Sequence, residues 1–169
     1  MKLVALNGSL RTGSINAALI EAIRRMEIFD VETVDTVLPP FTPDLADDAP
    51  PEVLAFRARL NAADAVLIAT PEYAMGIPGV LKNAIDWTVG SCELAHKPTA
   101  LITCTSSGEI AHPALLEVLR VLEARMTEET ALLLNHNRAK VRLDATFVTP
   151  EAEAAVRGVI EALSRLCNA

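Results

Sequence analysis

Short, mostly apolar, strand-like runs alternate along the chain with longer stretches in which apolar residues recur every three or four positions. The runs cover residues 2–6, 31–34, 65–70, 99–103 and 131–134. Apolar runs of this length predict strands buried on both faces, and the last is the least β-like because leucines dominate it. Helical spacing covers 16–26, 52–62, 79–88, 113–126 and 150–166. Most of these stretches have a start signal: Ser14 or Asn16 can cap the first, Pro50 and Pro51 open the second, Pro78 and Gly79 the third, and Thr149 before Pro150 the last. Strand and helix therefore alternate, the pattern of a parallel sheet covered on both faces. Right-handed crossovers leave few arrangements, of which a five-stranded α/β three-layer sandwich of order 2-1-3-4-5 is the simplest. In that order a ligand crevice opens outside the C-terminal ends of strands one and three, where the loops 7–16 and 71–79 lie. The proline-rich, acidic stretch 38–51 reads as a long surface connection inside one domain spanning 1–169.

Composition narrows the possible partners. With 169 residues and a hydrophobic fraction of 51%, the chain can enclose one core. No apolar run approaches the ~18 residues of a membrane span, and the N-terminal run is too short for a secretory leader, so no membrane partner and a soluble chain are expected. A net charge of −7 argues against nucleic acid, whose binding needs a basic surface. Cys92, Cys104 and Cys167 form no CxxC pair, and the acidic run Asp44, Asp47, Asp48 lacks the glycine and glutamate of a calcium loop. The expectations are a cytoplasmic protein, no bound metal, and structural roles for Cys104 as a buried hydrophobe and for His96 and His136 in surface connections.

The first unusual loop is Gly8-Ser9-Leu10-Arg11-Thr12-Gly13-Ser14-Ile15-Asn16. It follows a buried strand and runs into a helix, whose first N–H groups and positive dipole end converge on one spot. Ser9, Thr12, Ser14 and Asn16 add short donors, and Arg11 adds a planar cationic fork suited to a phosphate. An ordinary βα turn capped by Ser14 or Asn16 is the plainer alternative; Arg11 among so many donors favours an anion. Gly8 and Gly13 have the outer spacing of the GxxxxGK[ST] loop, but Ser14 stands where the lysine must be and Ile15 where the magnesium-binding hydroxyl must be. GxGxxG is also absent, so a nucleoside triphosphatase and a dinucleotide dehydrogenase are both disfavoured.

The second loop leads Pro71-Glu72-Tyr73-Ala74-Met75-Gly76-Ile77-Pro78-Gly79 into Leu81-Lys82-Asn83, Asp86 and Trp87. Tyr73 and Met75 offer polarizable surface to a flat ring and the glycines permit close approach, although a stiff turn packed by Leu81, Ile85 and Trp87 would read the same way.

Taken together, the two loops resemble those of the NADPH-dependent FMN reductase family, which includes quinone, azo-dye and chromate reductases. Its pattern GSLRxxSxN is met by Gly8, Ser9, Leu10, Arg11, Ser14 and Asn16, and its pattern PEYNxGxPGxLKNxxDW by every fixed position except Ala74. His96-Lys97-Pro98 and Leu119-Arg120 also fit, so the similarity runs over nearly the whole chain. The resemblance implies a flavodoxin-like fold and non-covalent FMN, with NADPH or NADH as co-substrate and a small-molecule electron acceptor such as a quinone, free flavin, azo compound or metal oxyanion. It assigns the FMN phosphate to Ser9, Arg11, Ser14, Ile15 and Asn16. Pro71, Glu72, Tyr73, Ala74, Met75 and Gly76 then line the flavin ring, joined by Ser106 and Gly108 of a third loop, 105–108. A homodimer or homotetramer is implied in the same way, and no side chain is expected to act as acid, base or nucleophile. Two departures stand out: Ala74 replaces an asparagine near the flavin, and Ala111 and His112 replace a glycine pair beside the face where nicotinamide or acceptor would stack. Glu72 is left open between a cofactor neighbour and an ion-pair partner across a subunit interface. A flavodoxin-type electron carrier and a flavin-free interaction module are the rival readings of the same fold.

Overall fold

The computed structural model describes residues 1–45, 48–135 and 140–169; Asp47 and His136 lie outside them. Five parallel strands are ordered β2-β1-β3-β4-β5, as expected. They are β1 (Lys2–Asn7), β2 (Asp30–Val34), β3 (Ala65–Thr70), β4 (Thr99–Cys104) and β5 (Ala131–Leu134), joined by α1 (Ile15–Arg24), α2 (Pro51–Ala62), α3 (Gly79–Asp86) and α4 (Ala111–Val121) and followed by α5 (Pro150–Cys167). β1 pairs with β3 from Leu3↔Ala65 to Asn7↔Ala69, and β3 pairs with β4 as far as Thr70↔Thr103.

Side chains alternate across each strand and so divide between two cores. Leu3, Ala5, Leu67 and Ile102 point toward α1 and α5, where Leu19, Ile23, Val156, Ile160 and Leu163 meet them. Val4, Leu6, Val66, Ile68 and Leu101 point the other way, against Phe56 and Leu60 of α2, Leu81 and Ile85 of α3, and Leu115 and Leu119 of α4. β3 and β4 are buried at every position, which is why their sequences read as continuous apolar runs.

Two stretches depart from the sequence expectation. α4 stops at Val121 instead of running to residue 126. Glu123 turns into the left-handed region (φ +56°), and Ala124 N–H reaches back to the Leu119 carbonyl, closing the helix as a Schellman-type cap. Arg125 is thereby drawn into pairing beside β4, its carbonyl accepting from Thr99 N–H and its N–H donating to the Lys97 carbonyl. The connection after β2 is also more than a surface loop. Trp87 is fully buried, meets Phe41 edge-on at 5.1 Å between centroids, and donates its indole N–H to the Pro39 carbonyl at 2.8 Å. Asn83 fastens the same loop by accepting from Phe41 N–H (2.8 Å) and donating to the Leu38 and Pro39 carbonyls.

Asn83→Ala removes the partner of that N–H and those carbonyls together, with an expected loss of roughly 1–3 kcal/mol of stability. Urea unfolding followed by Trp87 fluorescence measures it; an unchanged midpoint would show that the contacts of Trp87 with Pro39 and Phe41 hold the loop without Asn83.

Candidate functional site

β1 ends where Gly8 passes under β3: Gly8 N–H donates to the Ala69 carbonyl at 2.8 Å, and any Cβ at position 8 would collide with the Thr70 side chain. Asn7 Oδ1 then accepts from Ser9 N–H at 3.0 Å and turns the chain toward α1. Ser14 caps that helix, its Oγ accepting from Ala17 N–H at 3.1 Å, so of the two sequence candidates for the cap Ser14 fills the role. The helix start leaves the N–H groups of Ile15 and Asn16 without intrahelical acceptors, and no acidic residue occupies the first turn to compete with an incoming anion. Asn16 is almost completely buried; its Nδ2 donates to the Cys104 carbonyl at 3.1 Å, while Oδ1 has no partner among the described residues. A buried amide oxygen without a donor is costly, and both Asn16 and the neighbouring helix start line the same cavity.

The second loop is a tight hairpin. Tyr73 and Gly76 exchange both backbone hydrogen bonds, at 3.1 and 3.0 Å, around Ala74 (φ +49°) and Met75 (φ +58°). Positive φ at both central residues is the geometry of a type I′ turn, which favours asparagine or glycine. Ala74 thus departs from the family pattern at a place where the backbone itself prefers asparagine, a reason distinct from any contact with the flavin. Tyr73 reaches back across the crevice, its hydroxyl 2.9 Å from Ser9 Oγ, and so ties the second loop to the first.

Glu72 also has a structural role that the sequence reading did not include. Its carboxylate accepts from Ala111 N–H (2.7 Å), Ile110 N–H (3.0 Å), Ser107 Oγ (2.8 Å) and Gly108 N–H (3.4 Å). It therefore caps α4 from another loop and clamps residues 107–111 against residue 72. The Ala111 amide, then the Ser107 hydroxyl and the Ile110 and Gly108 amides, hold its pKa below the usual carboxylate range against the opposing effect of burial. Gly108 sits at φ +86° and is packed against Leu133 and Thr105, so this loop needs glycine there.

These loops enclose a cavity of about 990 Å³. From the first loop Ser9, Arg11, Ser14, Ile15 and Asn16 line it, and from the others Pro71, Glu72, Tyr73 and Ser106. Ala74, Met75, Gly76 and Gly108 are not on the lining: the first three form the exposed turn beside Tyr73, and Gly108 supports the third loop from behind. Thr105 joins the wall, its hydroxyl accepting from Glu72 N–H at 3.2 Å. Sequence reasoning missed Val141, Arg142 and Leu143, which line the cavity, Leu143 lying beside Gly13 of the first loop. Alternating apolar and polar residues flanking Asp144-Ala145 were the available signal for a hairpin there.

His112, expected near the nicotinamide face, does not line the cavity; its Nδ1 lies 2.8 Å from Thr103 Oγ1, and burial lowers its pKa and favours the neutral ring. Burial pushes the Cys104 thiol up to about 12, leaving it an inert hydrophobe. Among the described residues, no group of three potential metal ligands occurs, and no helix is long and apolar enough to cross a membrane.

A parallel 2-1-3-4-5 sheet whose switch-point crevice joins an anion-ready helix start to an exposed aromatic turn defines a flavodoxin-like nucleotide-binding protein. The family model described as NADPH-dependent FMN reductase matches residues 1–139, and the chain belongs to that family, whose members use FMN with a reduced nicotinamide nucleotide. It is 32% identical to a 2-hydroxy-1,4-benzoquinone reductase of Burkholderia sp, over 89% of this chain and 87% of the relative. Identity to an NAD(P)H:quinone oxidoreductase of Solanum tuberosum is 33%, over 98% and 92% of the two chains. The solved structure of FerB, a flavoenzyme NAD(P)H:(acceptor) oxidoreductase from Paracoccus denitrificans, superposes with a TM-score of 0.83 at 27% identity, covering 99% of this chain and 97% of that one. The chain is accordingly an FMN-dependent oxidoreductase. Its cavity fits the cofactor's chemistry on two counts: the helix start beside Arg11 suits a phosphate, and the unpartnered Asn16 Oδ1 suits a hydroxyl donor.

The lowered pKa of Glu72 gives its clamp a definite pH dependence. The stabilisation is fully present above the ordinary carboxylate range and is lost as pH falls through the lowered value. The gap in thermal midpoint between the native chain and Glu72→Gln is therefore expected to be widest near neutral pH and to close in acid; a gap independent of pH would show that the charge does not matter. Ala74→Asn is expected to raise stability by about 0.5–1 kcal/mol by relieving the left-handed turn, read by urea unfolding without flavin. No gain would return the asparagine preference at this position to ligand contact.

Proposed function

We propose that this chain uses NAD(P)H to reduce a quinone-like acceptor through FMN seated in the cavity. Ser9, Arg11, Ser14, Ile15 and Asn16 hold the phosphate end. The ring lies along Pro71, Glu72, Tyr73 and Ser106, with Ala74, Met75, Gly76 and Gly108 setting the shape of the loops around it. One observation carries this placement: a Ser14-capped helix start and the Arg11 fork border one cavity, which Asn16 of the same helix start also lines. The names of the Burkholderia and Solanum relatives support a quinone as acceptor.

When bound, FMN supplies the two-electron chemistry. The protein's part is to bind, orient and exclude water. Backbone N–H groups and Arg11 offset the phosphate charge, Ser9 and Tyr73 keep the two loops at a fixed separation, and Glu72 holds the third loop in register with the second. His112 and Cys104, close to the third loop in sequence, are turned into the fold. The whole chain, 1–169, acts as one FMN-binding domain. Exposed Leu10, Tyr73, Met75 and Ile110 on the cavity-bordering loops support closure by a second copy in a homodimer or homotetramer. Three unpaired cysteines support a cytoplasmic location.

Substituting both Arg11 and Ser14 by alanine is expected to weaken FMN binding by about a hundredfold or more, from the loss of charge-assisted contacts. Absorbance of the bound flavin after dialysis reports it. A double variant that keeps its flavin as tightly as the native chain refutes the placement, and native FMN-loaded protein that oxidises neither NADH nor NADPH in the presence of a quinone refutes the proposed reaction.

A further inference from the structure

The family match ends at residue 139, yet the cavity wall continues beyond it. Residues 140–148 fold back on themselves: Val148 N–H donates to the Lys140 carbonyl, Arg142 N–H to Thr146, and Ala145 N–H to Arg142, with Ala145 at φ +65°. This is a three-residue hairpin loop ending in a left-handed residue. Its base is anchored, since Val141 is buried in the core beside Phe147 and across from α5. Its tip is tied to α1 by Arg25, whose Nη1 donates to the Asp144 carbonyl at 3.0 Å. Leu143 lies beside Gly13, within 3.9 Å of where a Cβ would stand, so the hairpin borders the phosphate loop itself.

Arg142 is carried between those two fastenings and lines the cavity. Its Nη1 donates to Thr146 Oγ1 and the Phe147 carbonyl, both at 3.2 Å, which restrains the guanidinium against its own hairpin. Nε and Nη2 have no acceptor among the described residues, so donors of the planar fork remain for a ligand. The nearby acids are already engaged: Asp144 Oδ1 accepts from Thr146 N–H and Oγ1 at 3.0 and 2.7 Å, and Glu21 pairs with Arg24 and Arg25. A chain of net charge −7 thus places two guanidiniums, Arg11 and Arg142, on one cavity. A phosphomonoester carries close to two negative charges near neutral pH.

We propose that Arg142 is a second cation for the flavin phosphate, a specificity residue supplied by a hairpin beyond the segment this chain shares with the family model. It shares the cavity with Arg11 and makes the site select FMN over riboflavin more strongly than the first loop does alone. The assignment rests on the placement of FMN given above.

Flavin-fluorescence titrations of protein freed of flavin, with FMN and with riboflavin, test it on the native chain, Arg142→Gln and Arg142→Lys. Glutamine keeps most of the length and can still bond the hairpin, whereas lysine keeps the charge. Arg142→Gln is expected to weaken FMN about tenfold while changing riboflavin less than about twofold, with Arg142→Lys recovering part of the loss and added salt narrowing the difference. Equal weakening of both flavins would assign Arg142 to hairpin packing and overturn the proposal, as would unchanged FMN affinity. Unchanged FMN affinity with altered KM for NADPH but not NADH would overturn it in favour of the nicotinamide nucleotide. Arg142→Gln matching a native chain that does prefer FMN refutes the role of Arg142 alone; a native chain with no preference refutes the phosphate site and this role together.

Discussion

Parallel pairing of β1 with β3 is the constraint on which the site depends. The register from Leu3↔Ala65 to Asn7↔Ala69 brings both strands to their C-terminal ends together, and Gly8 then passes close enough to Thr70 that no side chain fits. Helix and loop leave these strand ends in different directions, because the chain order reverses between them. The gap so created receives a helix start from one side and a tight turn from the other. Without that close approach, the Ser9 hydroxyl would not meet Tyr73 and the cavity would lose its bridge between loops.

Charge within this small volume is arranged against the acidic character of the chain. Glu72 would oppose an anion if it faced the cavity free, but hydrogen-bond donors from residues 107–111 take up its carboxylate. The same contacts satisfy the orphan amides at the start of α4, so one side chain solves two local problems. Arg11 and the helix start are then left to set the local potential, with Arg142 as a further guanidinium on the wall. Pairing Glu72 with backbone amides lessens its opposition to an anion in the cavity of a chain whose net charge is −7.

Backbone strain is present at the crevice, as it is at several turns elsewhere. Ala74 and Met75 hold positive φ in the turn beside Tyr73, and Ala145 does so at the tip of the hairpin that borders Gly13. Each is a position where glycine or asparagine would be easier. Their burden is carried by regular contacts nearby: the paired backbone bonds of Tyr73 and Gly76, and the Arg25 bond to the Asp144 carbonyl. Strained residues on fixed anchors are a common way to shape a binding loop.

The alternation of helix and strand and two of the loops were legible in the sequence because they follow from local periodicity and punctuation, and the strand order because right-handed crossovers leave few arrangements of that alternation. Apolar runs mark buried strands, and Gly8, Ser14 and Pro78 mark where the chain must turn or begin a helix. The end of α4 was not legible, since helical spacing persists to Met126 while Arg125 is claimed by pairing with Lys97 and Thr99 across the sheet edge. Neither was the role of Glu72, whose partners lie more than 30 residues away in sequence, nor the presence of Arg142 on the wall. Sequence by itself determined which segments are regular and which loops carry donors and a cation, because those are properties of neighbouring residues. Tertiary structure alone decided which acid is neutralised, which amide oxygen is stranded and which distant hairpin completes the cavity, because those depend on groups that meet only when separate elements pack.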